Sequence, residues 1–169
     1  DKATLELDGS TLLTRTLTAV SGASRMIVVG EVAAPGAIVV QEEPRFAGPA
    51  AAVGAGLAEV QSPYVLLVAC DQPFLADAIH VLLEAATGDG VVAVDADGRR
   101  QHLMSVISSG ALRRAVAAQP SLVDLSLHAL LAPLNLVEIA VPSRATLDID
   151  SWHDRDAALE LRTEGSRDD

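Results

Sequence analysis

Asp71 directly follows the apolar run Tyr64–Cys70 (Tyr-Val-Leu-Leu-Val-Ala-Cys). Such a run suits a parallel strand buried on both faces, and a carboxylate just past its carboxyl end stands where open α/β sheets bind ligands. Magnesium takes one or two protein carboxylates and completes its shell with phosphate oxygens and water. Asp71 therefore reads either as a magnesium ligand or as a turn residue capping the helix that begins near Pro73. Asp148 and Asp150 form a second acidic pair, spaced so that both project to one side of an extended segment. Paired carboxylates repel unless a cation or hydrogen-bond donors lie between them, so the pair points to a site. Asp150 alone also fits a structural part beside Ser151 at a helix start.

The segment Ala47–Gly56 is made almost wholly of small residues. Gly48-Pro49 leaves a bare helix entry that a phosphate or flat ligand could approach, whereas Gly54 and Gly56 suit close packing of helix on sheet. Lys2 stands ahead of the first strand, where a lone lysine is ordinarily a solvated charge. His80, His128 and His153 show no metal-ligand spacing and read as surface or boundary residues. His102, which follows Arg99-Arg100-Gln101 and opens a strand, is the histidine that remains a candidate.

These residues need elements to hold them. Alternation predicts a strand over Ala3–Leu7, a turn at Asp8-Gly9 and a helix capped by Ser10 with Leu13, Leu17 and Val20 on one stripe. Short strands follow at Met26–Val29 and Ala37–Val40, divided by Pro35-Gly36. A helix runs from Gly48-Pro49 to about Val60, and Tyr64–Cys70 is expected to be a central strand. Further helices are predicted at Leu75–Ala86, Ala111–Ala118 and Leu125–Leu131. Strands are predicted at Val91–Val94, Leu103–Ile107 and Leu136–Val141. An extended run at Thr146–Asp150 leads to a last helix capped by Ser151, with Asp154 completing a capping box. The alternation of buried strands and helices describes an α/β fold, a three-layer Rossmann-like sandwich with a mostly parallel sheet. Residues 1–161 form one domain on this reading, and residues 162–169 a polar tail.

The chain has 169 residues, half of them apolar, and a formal net charge of −11. That charge argues against nucleic acid as a partner, since polyanion binding depends on basic patches. A small nucleotide can still be held by backbone amides, a metal ion and one or two basic side chains. The single cysteine, Cys70, allows no intrachain disulfide and suits a reducing cytoplasm. No apolar run reaches the roughly 20 residues of a membrane span.

Several motifs in chain order resemble those of the molybdenum cofactor guanylyltransferase family, within the wider nucleotidyltransferase superfamily. Asp1-Lys2-Ala3 is similar to the end of that family's signature, and Leu5–Leu13 continues it. Glu42-Glu43-Pro44 before Ala47-Gly48-Pro49 resembles its acidic residue and Gly-Pro helix entry. Cys70-Asp71-Gln72-Pro73-Phe74 resembles its Cys-Asp-x-Pro-aromatic run, while Gln101-His102 and Ser126–Leu131 resemble its acceptor side.

The resemblance implies a reaction in which molybdopterin attacks the α-phosphate of GTP and pyrophosphate leaves. It implies catalytic roles for Lys2 and Asp71 and a nucleotide site of Lys2, Gly30, Glu43, Gly48, Pro49 and Asp71. His102, Asp148 and Asp150 would face the acceptor, and Mg2+ would sit on Asp71 and Asp150. It also implies a strand and a glycine-rich loop ahead of Asp1. Gly30 departs from the family's usual asparagine, and Asp148-Ile149-Asp150-Ser151 from its Asn-x-Asn-Thr. The Asp-x-Asp form is closer to the cytidylyltransferases for the same cofactor, so cytidylyl or other nucleotidyl transfer to molybdopterin or another small phosphorylated acceptor is the alternative. A nucleotide- or partner-binding domain without catalysis is the non-enzymatic one.

Overall fold

A computed structural model describes residues 2–7 and 9–146. Asp148, Asp150, the extended run into Asp150, the helix after Ser151, His153 and the tail lie outside the described residues.

The predicted first strand forms only in part. Lys2–Thr4 is a 3₁₀ turn, and the two-residue strand β1 (Glu6–Leu7) pairs antiparallel with β2 (Ser10–Thr11). The hairpin turns at Gly9, whose φ of 74° suits a residue without a Cβ. Helix α1 (Leu12–Ala19) starts directly after this ladder, so Thr11 rather than Ser10 caps it, its side chain accepting the Thr14 N–H at 3.1 Å.

β3 (Ile27–Val29) and β4 (Ile38–Val40) pair in parallel. Helix α2 (Pro49–Leu57) lies against β3, where a Cβ on Gly56 would be 3.2 Å from Val29 Cγ2. On Gly54 it would be 2.5 Å from Leu122 Cδ1, so both glycines serve close packing. A separate sheet runs in the order β5 (Tyr64–Val68), β7 (Arg100–Ser108), β6 (Gly90–Val94), β8 (Val137–Ala140). β6 and β8 are parallel, and β7 runs antiparallel to both its neighbours.

Strand alternation sorts the core into two faces. Val65, Leu67, Val92 and Ile107 pack with α2, α4 (Ser109–Ala117) and α5 (Leu127–Leu131). Leu66, Val68, Val91, Ala93 and Met104 pack with α3 (Ala76–Ala85). Across β3 the same division holds, with Val28 meeting α1 residues Leu13 and Leu17 on one side and Ile27 and Val29 meeting Gly56 of α2 on the other. Three layers result, as the sequence predicts.

Among the described residues β5 is an edge strand rather than a central one, bonded to β7 alone and partly exposed along its length. Between β3 and β5 lies an apolar slot of about 790 Å³ lined by both strands. The two strands run the same way. Arg25, before β3, donates to Glu59 O and Gln61 Oε1, shortly before β5, and Val32 and Cys70 meet in one cluster beyond the other ends. Of β3 to β8, β7 alone is therefore reversed.

Candidate functional site at the carboxyl edge of the sheet

The shared strand direction collects the carboxyl ends of β3, β4, β5, β6 and β8 on one side, and the reversed β7 delivers its start there. Gly30 follows β3 with φ 141° and donates to Val40 O at 2.9 Å. Asp71 follows β5, half-buried at the mouth of the slot, which Gly30, Glu31, Pro49 and Cys70 also line. Ala3 packs with Leu13, Ala34, Val32 and Cys70, so the backbone of Lys2 enters at this same edge. The structure thus brings Lys2, Gly30, Pro49 and Asp71 to one region.

Gly48 caps α2 with φ 95° and no side-chain hydrogen bond, leaving the first amides of the helix without a capping side chain. Its missing Cβ would lie 3.7 Å from Asp124 Cα, which ties this corner to the segment entering α5. Asp124 N donates to Ala47 O at 2.8 Å across the same contact.

Glu43 is set apart. It lines a second cavity of about 480 Å³ with Gln41, Ala51, Ala55 and Leu122, on a different face of α2 from the slot. Its neighbour Glu42 holds the loop, Oε1 accepting the Phe46 N–H at 3.0 Å and Oε2 accepting Gln41 Nε2 at 2.9 Å. Arg45 pairs with Glu31 at 2.8 Å and so bridges the loops after β3 and β4.

His102 enters from β7. The ladder between β6 and β7 pairs Val92 with Ser105 but Ala93 with Gln101, so His102, Leu103 and Met104 form a bulge. Ser105 Oγ donates to His102 O at 2.8 Å and pins it. Upstream, Asp95 closes the turn before β7, its carboxylate accepting from the backbone of Asp97 and Arg99 and from Gln101 Nε2. The Arg99 N–H above all holds the Asp95 carboxyl below its usual range; modest burial opposes this, and the Asp97 and Gln101 donors add to it.

His102 meets His128 of α5 edge to face, ring centroids 5.5 Å apart and planes at 84°. Burial first, then the nearby His128 and Arg100, depress protonation of His102. His128 is exposed as a surface residue should be, but its contact with His102 has no signal in sequence spacing. His80 is a surface residue as read, beside Glu84 at 3.2 Å.

Among the described residues there is no group of three or more histidines, cysteines or acids placed to hold a metal ion. Asp71 offers a single carboxylate, which fits magnesium only where substrate oxygens and water supply the rest. Beside it, Gln72 is 5% exposed with its Oε1 buried and without a hydrogen-bond donor. Such an orphaned acceptor is costly, and nothing in the sequence marks it out. No helix among the described residues is long and apolar enough to cross a membrane.

A three-layer α/β sandwich with its candidate residues gathered at the strands' carboxyl edge defines a Rossmann-like nucleotidyltransferase fold. Among solved structures, a molybdopterin-guanine dinucleotide biosynthesis protein A from Archaeoglobus fulgidus superposes with a TM-score of 0.74 at 17% identity, over 96% of this chain and 91% of the other. A Mycobacterium tuberculosis protein solved in complex with manganese gives 0.63 at 22%, over 94% and 91%. Residues 1–137 match the family described as MobA-like NTP transferase domain, and the chain belongs to it. It is 34% identical over 135 residues to a molybdenum cofactor guanylyltransferase of Burkholderia ambifaria, covering 74% of this chain and 64% of that one. With the protein of the same name from Cupriavidus pinatubonensis it shares 41% over 70 residues, 38% of this chain and 35% of the relative's length. The chain thus spans less than two thirds of either relative.

Proposed function

We propose that this chain is the main part of a cytoplasmic, magnesium-dependent nucleotidyltransferase that moves GMP from GTP to molybdopterin and releases pyrophosphate. The observation that carries this reading is the gathering of Lys2, Gly30, Gly48-Pro49, Asp71 and His102 at one sheet edge in a member of the MobA-like family. Lys2 would contact the phosphates, and Gly30 and Gly48-Pro49 would let the nucleotide lie close against backbone. Asp71, with Asp150, would hold the magnesium ion, which when bound offsets charge on the phosphates. His102, Asp148 and Asp150 would face the acceptor, and Glu43 would reach the base or ribose only if its loop turns toward the slot. The protein's share of catalysis is mainly to position the two reactants and exclude water between them.

The slot between β3 and β5 supports one more strand with a glycine-rich turn in the full-length enzyme, since it would pair two facing edges and bring phosphate-binding amides beside Asp71. On this reading residues 1–161 belong to one domain. Asp148 and Asp150, in place of the guanylyl enzymes' Asn-x-Asn, favour a second reading, cytidylyl rather than guanylyl transfer. Gly30 likewise lacks the side-chain amide of the guanylyl enzymes' asparagine, and its φ of 141° is one that residues with a side chain rarely adopt. Pyrophosphate release by the full-length protein, measured with GTP, CTP and ATP in the presence of magnesium and molybdopterin, tests both. Release with GTP alone supports the first reading, release with CTP the second, and no release with any nucleotide rejects both.

A further inference from the structure

We propose that His102 and His128 act together as an anion-binding pair for the phosphate monoester of the acceptor, an inference that rests on the nucleotidyl-transfer reading for its biological setting. Three observations converge. The bulge at His102–Met104, pinned by Ser105 Oγ, departs from the regular ladder where it would otherwise fix the aim of His102. On the facing element, Leu127, Leu130 and Leu131 bury α5 in the core and Ser126 Oγ accepts the Ala129 N–H at 3.1 Å, leaving His128 on the outer side. The two imidazoles then meet with centroids 5.5 Å apart.

The charges around the pair favour an anion. Those that bear on His102 are His128 and Arg100, both basic. Of the rim carboxylates, Asp95 is held by Gln101 Nε2 at 2.9 Å, and Glu138 is held by Arg100 Nε at 2.8 Å, so Arg100 is shared with Glu138 and the attraction rests mainly on the two imidazoles. Each neutral imidazole offers one N–H donor and each protonated one offers two, so a dianionic phosphate gains donors as it draws protons onto the rings. A chain of net charge −11 has no general attraction for such a ligand, so a local basic pair must supply it.

The test is imidazole NMR on the full-length protein, titrated with inorganic phosphate between about pH 5.5 and 8, with resonances assigned by single His→Asn variants. Phosphate is expected to raise the titration midpoints of His102 and His128 by about half a unit or more, with His80 unmoved as the internal control. In His128→Asn the phosphate affinity should fall about five-fold and the His102 response should shrink with it. The acceptor KM of that variant should rise several-fold more than its kcat falls. Midpoints indifferent to phosphate, or shifted equally at His80, overturn the pair. Pyrophosphate release with indifferent midpoints leaves the enzyme reading standing without it. Responsive midpoints with no release from any nucleotide leave the anion pair and reject the reaction.

Discussion

Replacing Asp71 by asparagine separates charge from shape. The residue is half-buried at the end of β5, where an effective dielectric of about 20 applies and opposite unit charges at about 4 Å attract by about 4 kcal/mol. Asparagine keeps an oxygen and so retains part of this, leaving a loss of about 3 kcal/mol if the carboxylate holds a cation against the leaving pyrophosphate. At 1.36 kcal/mol per decade the turnover should drop at least a hundred-fold. Stability should change by no more than about 1 kcal/mol, because the substitution preserves volume at a turn and alters at most a half-exposed charge interaction. The assay is pyrophosphate release at saturating nucleotide, run beside thermal melting on full-length Asp71→Asn and its parent. Extra magnesium should recover little, since the ion would be misplaced rather than scarce. Parental turnover with an unchanged melt would refute the assignment and the mechanism built on it.

Other expectations concern the frame around the site. Thr11→Ala should cost about 1 kcal/mol in urea denaturation, whereas Ser10→Ala should cost less than half of that, because the Thr11 hydroxyl caps α1. Gly90→Ala should cost more than about 3 kcal/mol or prevent folding, read by soluble yield and melting. Its Cβ would collide with the backbone oxygen of Val106, at a φ of 139° that alanine rarely adopts. His102 has a folded pKa below its ordinary 6.5, so the unfolded chain binds the proton more readily. Its contribution to stability is therefore full above that value and is lost as pH falls below it, and His102→Asn should remove that part of the pH slope in urea midpoints.

Much of the fold is legible because burial imposes period on sequence. The strands near Met26–Val29, Ala37–Val40 and Val91–Val94 and the helix from Pro49 emerge within a few residues of expectation. Ala3–Leu7 misleads because five alternating residues satisfy a strand pattern while Ala3 in fact packs on α1. Tyr64–Cys70 misleads differently. An uninterrupted apolar run fits a central strand, and here the neighbour that would make it central is the slot beside β3. At the candidate site, the positions of Asp71 and Gly48 in the fold follow from chain-local cues, a strand end and a helix entry. Gln72 and His128 do not, since an orphaned buried oxygen and a contact between β7 and α5 depend on elements distant in sequence.

The reversal of β7 has a consequence for how such a molecule can change. β4 and β5 contribute to the candidate site through loops that follow them and lead into the core helices α2 and α3. β7 contributes instead through its beginning, supplied by the polar turn at residues 95–99, which Asp95 organises by itself. Residues in that turn can be exchanged or inserted without re-registering a helix, provided the Asp95 bonds and the Ser105 pin survive. If β7 serves the acceptor, the preference for one phosphorylated compound over another is inherited on a separate, small piece of chain. The nucleotide half could then stay fixed while its recipient is replaced.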